Sequence, residues 1–253
     1  MAPTQPTICV FGDSHSALFL QLPFFAGRLG LKVPLPYRII GRAIPAASVA
    51  GFRPGRSTLR VKDTIREALP SNERIILAFG QVDLELGYYY RLSIKKETIT
   101  PEEYIEFLIG VYANFIADLR IESCRLVFKG ANLTSLSPRG FAARYISRIV
   151  KEGSSLSPDE AQALVEPFVL SEDAQNDMHL RFNDALAQFA KQAGHGYFDL
   201  VSETSNGSIR NISAVPLRLA DEYRVGALDH HIADTVAVRR LHYEAAGRAF
   251  GLI

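Results

Sequence analysis

The sequence predicts an α/β domain in which a mostly parallel sheet is flanked by helices on both faces. Short apolar and β-branched segments alternate with longer segments of helical spacing along the chain, which is typical of parallel βαβ units. The first apolar segment stops at Gly12 and a helix-length apolar segment follows, a common start for such a domain. The predicted strands are Thr7–Phe11, Tyr37–Gly41, Arg74–Phe79, Arg125–Lys129 and Tyr197–Val201.

Helix boundaries follow from capping residues and apolar periodicity. Thr100 is followed by a proline and then by Glu103, so the threonine can cap the first turn and the glutamate can complete a capping box. Ser157 and Glu160 repeat this pattern, and apolar spacing extends the first of these helices to Glu122. Further helices are predicted at Ser16–Phe25, Ser57–Leu69, Arg181–Ala193 and Thr235–Phe250.

Chain length and composition favour one globular domain. The chain has 253 residues, of which 47% are hydrophobic and 22% charged, the ordinary mixture for a soluble α/β enzyme. We therefore expect a single domain over residues 1–253. The stretch from Leu133 to Asp177 is the least regular and is rich in Ser, Pro and charge. We interpret it as an insertion, serving as a lid or as a substrate-binding arm.

Charge and cysteine content exclude several classes of protein. Lys plus Arg total 28 against 27 Asp plus Glu, without the clustered basic excess of a nucleic-acid binder. No apolar stretch has transmembrane length, and the N-terminus lacks the pattern of a secretory signal peptide. Cys9 and Cys124 lie in strand-like apolar stretches, which favours buried free thiols. We expect a cytoplasmic protein without nucleic-acid or membrane partners; its oligomeric state is not predicted.

Four clusters of polar residues and glycine fall at predicted strand ends or in nearby loops. Ligands bind beyond the carboxyl ends of the strands in an open parallel sheet, so these clusters are expected to meet. No single cluster is specific in a chain of this length, and their shared placement makes them candidates. The clusters are Gly12–His15, Ser48–Gly51, Gly80–Asp83 and Asp229–His231.

Ser14 is the candidate nucleophile because it stands where the first strand gives way to a helix. A serine hydroxyl becomes reactive when a neighbouring base takes its proton, and a histidine oriented by a carboxylate is such a base. Asp229 and His231 supply both groups from one loop. Gly51 and Gly80 allow close approach of the backbone to an oxyanion. A helix N-cap is the alternative role for Ser14.

The order of these clusters resembles that of the SGNH, or GDSL-type, hydrolase superfamily over nearly the whole chain. The first block is matched by Gly12–Ser14, and the oxyanion glycine of the second by Gly51. The third block resembles Gly80–Asp83, and the last is matched by Asp229 and His231. The GDSH and FGxxD motifs are similar to those of a bacterial subgroup.

This resemblance implies a flavodoxin-like three-layer α/β/α fold and hydrolysis of acyl esters, often acetyl groups on carbohydrates. It assigns Ser14 as the nucleophile, His231 as the base and Asp229 as the residue that orients the base, with no cofactor. The backbone amides of Ser14 and Gly51 would hold the oxyanion. The expected substrate is a small-molecule or glycan ester.

Two departures from the family pattern leave residue roles open. The third block usually carries an asparagine that donates to the oxyanion, whereas Val82 stands at that position. The side-chain amide of Gln81 is the candidate replacement. The last block usually has two residues between Asp and His but has one here, so His230 competes as the base. We favour His231 because apolar Ile232 follows it, as a leucine often follows the histidine in the family.

The remaining polar residues of the clusters have supporting or open roles. Asp13 is expected to organise the turn at the nucleophile, and Asp83 to hold the active-site loops through backbone hydrogen bonds. His15 could contact substrate or be satisfied by backbone at the start of a helix. Tyr89 and Arg91 could bind a sugar ring and an anionic group, while packing of the tyrosines in the core is the alternative.

We expect no metal site, because the adjacent loop residues His230 and His231 would seldom face one ion and no further His or Cys cluster accompanies them. Two other functions remain open from sequence. An O-acyltransferase would use the same residues, and a glycan-binding module could keep the fold without catalysis. Nucleotide binding is disfavoured because no Gly-rich phosphate loop of the required spacing is present.

Overall fold

The computed structural model describes residues 5–20, 36–55, 59–69, 73–119, 121, 126–152, 155–207, 216–225 and 229–253. Five strands form one parallel sheet in the order β2-β1-β3-β4-β5. This order confirms the predicted α/β class. The strands are β1 (Thr7–Gly12), β2 (Arg38–Ala43), β3 (Ile75–Ala78), β4 (Leu126–Lys129) and β5 (Gly196–Phe198).

Helices connect the strands and cover the sheet. Short helical turns of the 3-10 type occupy Ser14–Phe19, Val49–Phe52, Glu166–Phe168 and Asp221–Tyr223, and a π-helical turn occupies Asp83–Gly87. The α-helices of the described residues are α1 (Val61–Ala68), α2 (Tyr88–Ser93), α3 (Pro101–Leu119), α4 (Arg139–Lys151), α5 (Pro158–Val165), α6 (Glu172–Gln192), α7 (Val201–Thr204) and α8 (Val236–Ala249).

Successive residues of the central strands point alternately to two layers of helices. On one face, Phe11 of β1 and Phe128 of β4 lie in a core that also contains side chains of α1, α3 and α6. On the other face, Val10 of β1 and Ile76 of β3 pack against α8. Burial on both faces explains why the strands read as continuous apolar runs rather than as alternating ones.

Both predicted capping boxes are present. The Thr100 hydroxyl accepts from the amide of Glu103 at 3.2 Å, and the Glu103 carboxylate accepts from the amide of Thr100 at 2.8 Å. The same reciprocal pair joins Ser157 and Glu160 at the start of α5. The predicted end of the first of these helices at Glu122 lies outside the described residues.

Several predicted boundaries are wrong for local reasons. Helix α6 begins at Glu172, well before the predicted start at Arg181, because Ser171 caps it by accepting from the amide of Ala174 at 3.3 Å. Strand β5 ends at Phe198, and the end of the predicted strand becomes helix α7. The predicted helix at Ser16–Phe25 begins as a 3-10 turn, and residues 21–35 lie outside the described part.

The stretch from Leu133 to Asp177 is largely helical, contrary to the expectation of an irregular segment. Helices α4 and α5 pack together within it, and Tyr145, Ile146 and Val165 are buried in the main core. Polar residues on the outer faces of these helices hide the apolar periodicity in the sequence. Its role as a lid or substrate-binding arm stays a prediction.

Cys9 is a buried free thiol in β1, and burial raises its pKa to about 11. Cys124 lies outside the described residues. No helix in the described part of the chain combines the length and apolar character required to cross a membrane.

Gly80, in the loop that follows β3, is a position where alanine should destabilise the fold. Its φ is +127°, and an added Cβ would lie 2.7 Å from Cζ of Phe182. We expect Gly80→Ala to lower the free energy of unfolding by about 1–3 kcal/mol, measured by urea denaturation. The control is Gly110→Ala in α3, where the added Cβ meets nothing within 4 Å and stability should rise by about 0.5–1 kcal/mol. Equal effects at the two positions would contradict this interpretation.

Candidate active site

The site lies where loops at the carboxyl edge of the sheet meet the segment before α8. Asp13 follows β1, and its amide donates to the carbonyl oxygen of Ala78 at the end of β3 at 3.2 Å. The Val49–Phe52 turn follows β2, and the π-helical turn follows β3. The four predicted clusters therefore come together at one edge, as expected for an open parallel sheet.

The structure brings Ser14, His231 and Asp229 into one hydrogen-bonded array. His231 Nε2 lies 2.7 Å from Ser14 Oγ, and His231 Nδ1 lies 2.6 Å from Asp229 Oδ1. Because the Asp229 carboxylate accepts a hydrogen bond from the Nδ1–H of His231, Nε2 is free to accept the hydroxyl proton of Ser14. Burial, together with the nearby charges of His15 and His230, lowers the pKa of His231. The imidazole is thus held as a neutral base.

The loop that carries this array is fixed on both sides. The amide of His231 donates to Asp229 Oδ1 at 3.1 Å, which closes a local turn. Ser135 Oγ donates to the carbonyl oxygen of Asp229 at 3.3 Å. The amide of Ala233 donates to the carbonyl oxygen of Tyr223 at 2.8 Å. Burial opposes ionisation of Asp229, but the hydrogen bonds from His231 lower the pKa of this carboxyl below its ordinary value.

Asp13 organises the turn that presents Ser14. Its Oδ1 accepts from the amide of His15 at 3.0 Å and lies 3.1 Å from His15 Nδ1. Its carbonyl oxygen accepts from Ser16 Oγ at 2.7 Å. His15 is buried, and its Nε2 lies 3.3 Å from the carbonyl oxygen of His230. The structure therefore places His15 among protein groups; its predicted contact with substrate stays untested.

Asp83 holds the loop that contains Gly51. Its two carboxylate oxygens accept from the amides of Val49 at 2.7 Å and Ala50 at 3.0 Å. Burial raises the pKa of Asp83 to about 7, although these two hydrogen bonds oppose the shift. The amide of Gly51 donates to Ser48 Oγ at 3.2 Å. This amide already has an acceptor within the chain, whereas the amide of Ser14 has none among the described residues.

Gln81 belongs to a buried polar chain that ends at His230. Its Nε2 donates to Glu85 Oε1 at 3.0 Å, and its Oε1 accepts from the amide of Asn132 at 2.8 Å. Glu85 Oε2 lies 3.0 Å from His230 Nδ1. Burial raises the pKa of Glu85, but the hydrogen bond and charge of His230, with further histidine charges, lower it to about 2. His230 is therefore paired with Glu85, and His231 is the histidine at Ser14.

Tyr89 and Arg91 are engaged elsewhere. Tyr89 is buried, its hydroxyl donates to Gln175, and the same oxygen accepts from the amide of Leu170 at 3.3 Å. Arg91 Nε lies 2.7 Å from a Glu97 carboxylate oxygen, and its guanidinium lies 4.3 Å from the centre of the Phe107 ring. Within the part of the chain that the structure describes, neither residue contacts the Ser14 array. A role in substrate binding stays a prediction without support from these contacts.

Sequence reasoning did not identify the buried polar residues at the end of β4 and just after it. Lys129 Nζ donates to the carbonyl oxygen of Gly130 at 2.9 Å and to Asn132 Oδ1 at 3.0 Å. Lys129 is buried, and this burial lowers its pKa to about 8 despite the charges of Asp13 and Asp199. The signal was available, because Lys-Gly-Ala-Asn follows a predicted strand at the same edge as the other clusters.

Lys129 makes the stability of the protein depend on pH. Its folded pKa of about 8 lies below the ordinary value of 10.5, so the unfolded chain binds the proton more tightly. The contribution of Lys129 to the free energy of unfolding therefore rises as pH increases from about 8 to 10.5. We expect the free energy of unfolding of wild type, minus that of Lys129→Met, to increase by about 3 kcal/mol from pH 7.5 to 10.5. Urea denaturation at several pH values measures it, and a constant difference would contradict the shift.

A polar groove is lined by Ser137, by Glu172 of α6 and by residues of the segments 205–206 and 218–224. Its volume is about 710 Å³. Ser135 and Tyr223 are close in sequence to the lining residues Ser137 and Arg224, and they make hydrogen bonds to Asp229 and Ala233. Arg218 forms an ion pair with Asp173 at 2.8 Å, and Arg224 pairs with Glu172. Polar lining residues include Ser137, Glu172, Asn206, Arg218, Asp221 and Arg224.

Comparison with known proteins supports the fold. No family model and no curated protein matches the amino-acid sequence. A Bacteroides fragilis protein described as an acylhydrolase is similar in structure with a TM-score of 0.51 and 10% identity, over 99% of this chain and 88% of the other. A Slackia heliotrinireducens protein described as an SGNH hydrolase has a TM-score of 0.51 and 16% identity, over 98% of this chain and 100% of the other. The chain has the fold of SGNH hydrolases, as its motifs predicted.

Proposed function

We propose that this protein hydrolyses a carboxylic ester through an acyl-enzyme formed on Ser14. The hydrogen-bonded array of Ser14, His231 and Asp229 at the carboxyl edge of an SGNH-type fold carries this proposal. A serine, a histidine and a carboxylate in this order are the groups that acyl transfer requires. The predicted O-acyltransferase uses the same residues with a second alcohol in place of water.

The geometry supports a two-step mechanism. His231 Nε2 takes the proton of Ser14 as Oγ attacks the carbonyl carbon, and Asp229 stabilises the imidazolium that forms. The same nitrogen then gives the proton to the leaving alcohol, and the acyl group remains on Ser14. A water molecule repeats the sequence in the second step, so that the acid is released and Ser14 recovers its proton.

Three donors are proposed for the oxyanion, with different support. The Ser14 amide has no acceptor among the described residues and is therefore available without rearrangement. The Gln81 side chain has a second N–H besides the one that donates to Glu85. The Gly51 amide would have to exchange its hydrogen bond with Ser48 for one with the oxyanion. Ser14 is therefore the leading donor in this proposal.

The alcohol half of the ester is proposed to be polar, as in a sugar carrying a short acyl group such as acetyl. The polar groove supports this, because charged and hydroxyl side chains line it and the nearby residues Ser135 and Tyr223 make hydrogen bonds to Asp229 and Ala233. Such groups match the many donors and acceptors of a carbohydrate, whereas a long acyl chain would require an apolar channel. A cytoplasmic location and the absence of nucleic-acid and membrane partners stay predictions from sequence.

A serine-directed fluorophosphonate probe tests the nucleophile without knowledge of the natural ester. We expect one adduct at Ser14 by peptide mass spectrometry, lost in Ser14→Ala and strongly slowed in His231→Ala. Labelling in Ser202→Ala, which removes an exposed serine of α7, should equal that of wild type. Folded protein without any adduct at Ser14 would reject the esterase proposal and favour a glycan-binding module. Incubation with acetylated sugars, with and without an acceptor alcohol, then separates hydrolysis, which releases acetate, from transfer, which acetylates the acceptor.

A further inference from the structure

Three histidines surround the candidate nucleophile. The ring centres of His15, His230 and His231 lie 4.4 Å apart in every pair. One ring nitrogen from each comes within 4.8 Å of the others. His230 and His231 are neighbours in sequence, and the fold adds His15 from the turn after β1. No metal site was expected from sequence, because adjacent loop histidines seldom face one ion and no further His or Cys cluster accompanies them; the fold brings the third histidine to them.

Each of the three imidazoles has a carboxylate at Nδ1. His15 Nδ1 lies 3.1 Å from Asp13, His230 Nδ1 lies 3.0 Å from Glu85, and His231 Nδ1 lies 2.6 Å from Asp229. Metal-ligating histidines nearly always donate their second ring N–H to such a partner, which fixes the ring and leaves the other nitrogen as ligand. Nε2 is that nitrogen in all three rings.

The charge around the rings also favours a cation. Asp13 and Glu85 are buried, and Asp13 Oδ2 has no hydrogen-bond donor within the described ranges. With neutral imidazoles, the carboxylates of Asp13, Glu85 and Asp229 would place three negative charges near the rings, and Lys129, which interacts with Asp13, offsets only one of them. Protons on the imidazoles or a divalent ion can offset them. His231 is the accessible member, with 33% of its side chain exposed, and gives an ion a route of entry.

We propose that His15, His230 and His231 bind one divalent ion of the zinc type through Nε2, and that the bound ion blocks the serine site. Imidazole ligands suit Zn²⁺, Co²⁺ and Ni²⁺ but not Mg²⁺ or Ca²⁺. Two nitrogens on one Zn²⁺ lie about 3.4 Å apart, given Zn–N bonds of about 2.1 Å and tetrahedral angles. The ring nitrogens that come within 4.8 Å of one another must therefore approach by about 1 Å to complete the site.

Metal binding has a defined consequence for Ser14. The ion takes the Nε2 lone pair of His231, which otherwise accepts the Ser14 hydroxyl proton. The ion also takes the place of the proton on His15 Nε2, which lies 3.3 Å from the carbonyl oxygen of His230. Binding therefore releases protons and removes the base. The metal site does not depend on the proposed esterase function, whereas the inhibition does.

Metal binding is measured directly with Co²⁺ on metal-stripped protein. We expect one ion per chain, with the visible absorption of a tetrahedral site, and no competition from Mg²⁺. His15→Gln and His230→Gln remove ligands, so each should weaken binding by at least about 10–100-fold, the loss typical when only an outer-shell partner of a ligand is removed. The matched control His195→Gln removes an imidazole just before β5, at the opposite edge of the sheet, and should bind as wild type does. Ser14→Ala should keep the metal site.

A second measurement uses wild-type protein and does not rely on the folding of any variant. Diethylpyrocarbonate modification, mapped by mass spectrometry, should be slowed by Zn²⁺ at His231 and unchanged at His195. Absence of the Co²⁺ spectrum, affinity unchanged in both His15→Gln and His230→Gln, or equal modification with and without Zn²⁺ would overturn the metal site. Metal binding by wild type without any probe labelling at Ser14 would keep the site and reject the esterase proposal. If the metal site and the esterase proposal both hold, Zn²⁺ slows fluorophosphonate labelling of Ser14 and a chelator restores the labelling rate.

Discussion

Ser14→Ala is expected to lower kcat/KM for a short-chain aryl ester by about 10⁴-fold or more. The hydroxyl is the group that forms the acyl-enzyme, and its 2.7 Å contact with His231 Nε2 supplies the base. Removal of a nucleophile from such an array leaves only the catalysis that comes from binding and oxyanion contacts. Initial rates over a range of ester concentrations measure the effect, with thermal unfolding as the check on folding.

Variants of the other two members separate their roles from that of Ser14. His231→Ala should lose activity to a similar extent, because residues that act as a unit are not additive. Asp229→Asn keeps the shape but favours the wrong tautomer of His231, and we expect a loss of about 10³–10⁴-fold. Ser202→Ala should change the rate by less than about 2-fold, as expected for an exposed residue outside the site. A Ser14→Ala protein that keeps a tenth of wild-type activity would contradict the proposed mechanism.

The parts of the site predicted from sequence are those placed by strand ends. Ser14 follows β1 and Gly80 follows β3, each with a single residue between, so an open parallel sheet brings both to one edge. Asp229 and His231 were found through their spacing and the resemblance rather than through an adjacent strand. Choosing between His230 and His231 needed the structure, because Glu85, which pairs with His230, stands 145 residues away in the chain.

Burial was harder to predict than position. Tyr89 and Arg91 follow the third cluster closely and look like binding residues, yet the fold turns Tyr89 into the core and places Arg91 against Glu97. A run of tyrosines carries no periodicity that distinguishes a core face from a binding face. Helix α4 was missed for the related reason that its charged outer face dominates the local composition, whereas the Ser157–Glu160 capping box predicted the start of α5.

Glu85 is the buried residue whose loss should affect the fold most. Its side chain is 0% exposed and is shared between Gln81 and His230. Glu85→Leu leaves Gln81 and His230 buried without this acceptor, and each buried group left unsatisfied costs about 1–3 kcal/mol, so the two together cost about 2–6 kcal/mol. We expect a loss of this size in the free energy of unfolding at pH 7, measured by urea denaturation.

The same prediction has an internal test through His230. In Glu85→Leu/His230→Leu the unpaired imidazole is gone, so the double variant should be more stable than the sum of the two single losses by about 1–3 kcal/mol. Glu106→Ala, an exposed position of α3, should change stability by less than about 0.5 kcal/mol. If Glu85→Leu cost no more than Glu106→Ala, the Glu85–His230 pair would not form in solution. His230 would then lack the partner that holds it away from Ser14, and the assignment of His231 as the base would rest on its own contact with Ser14 alone.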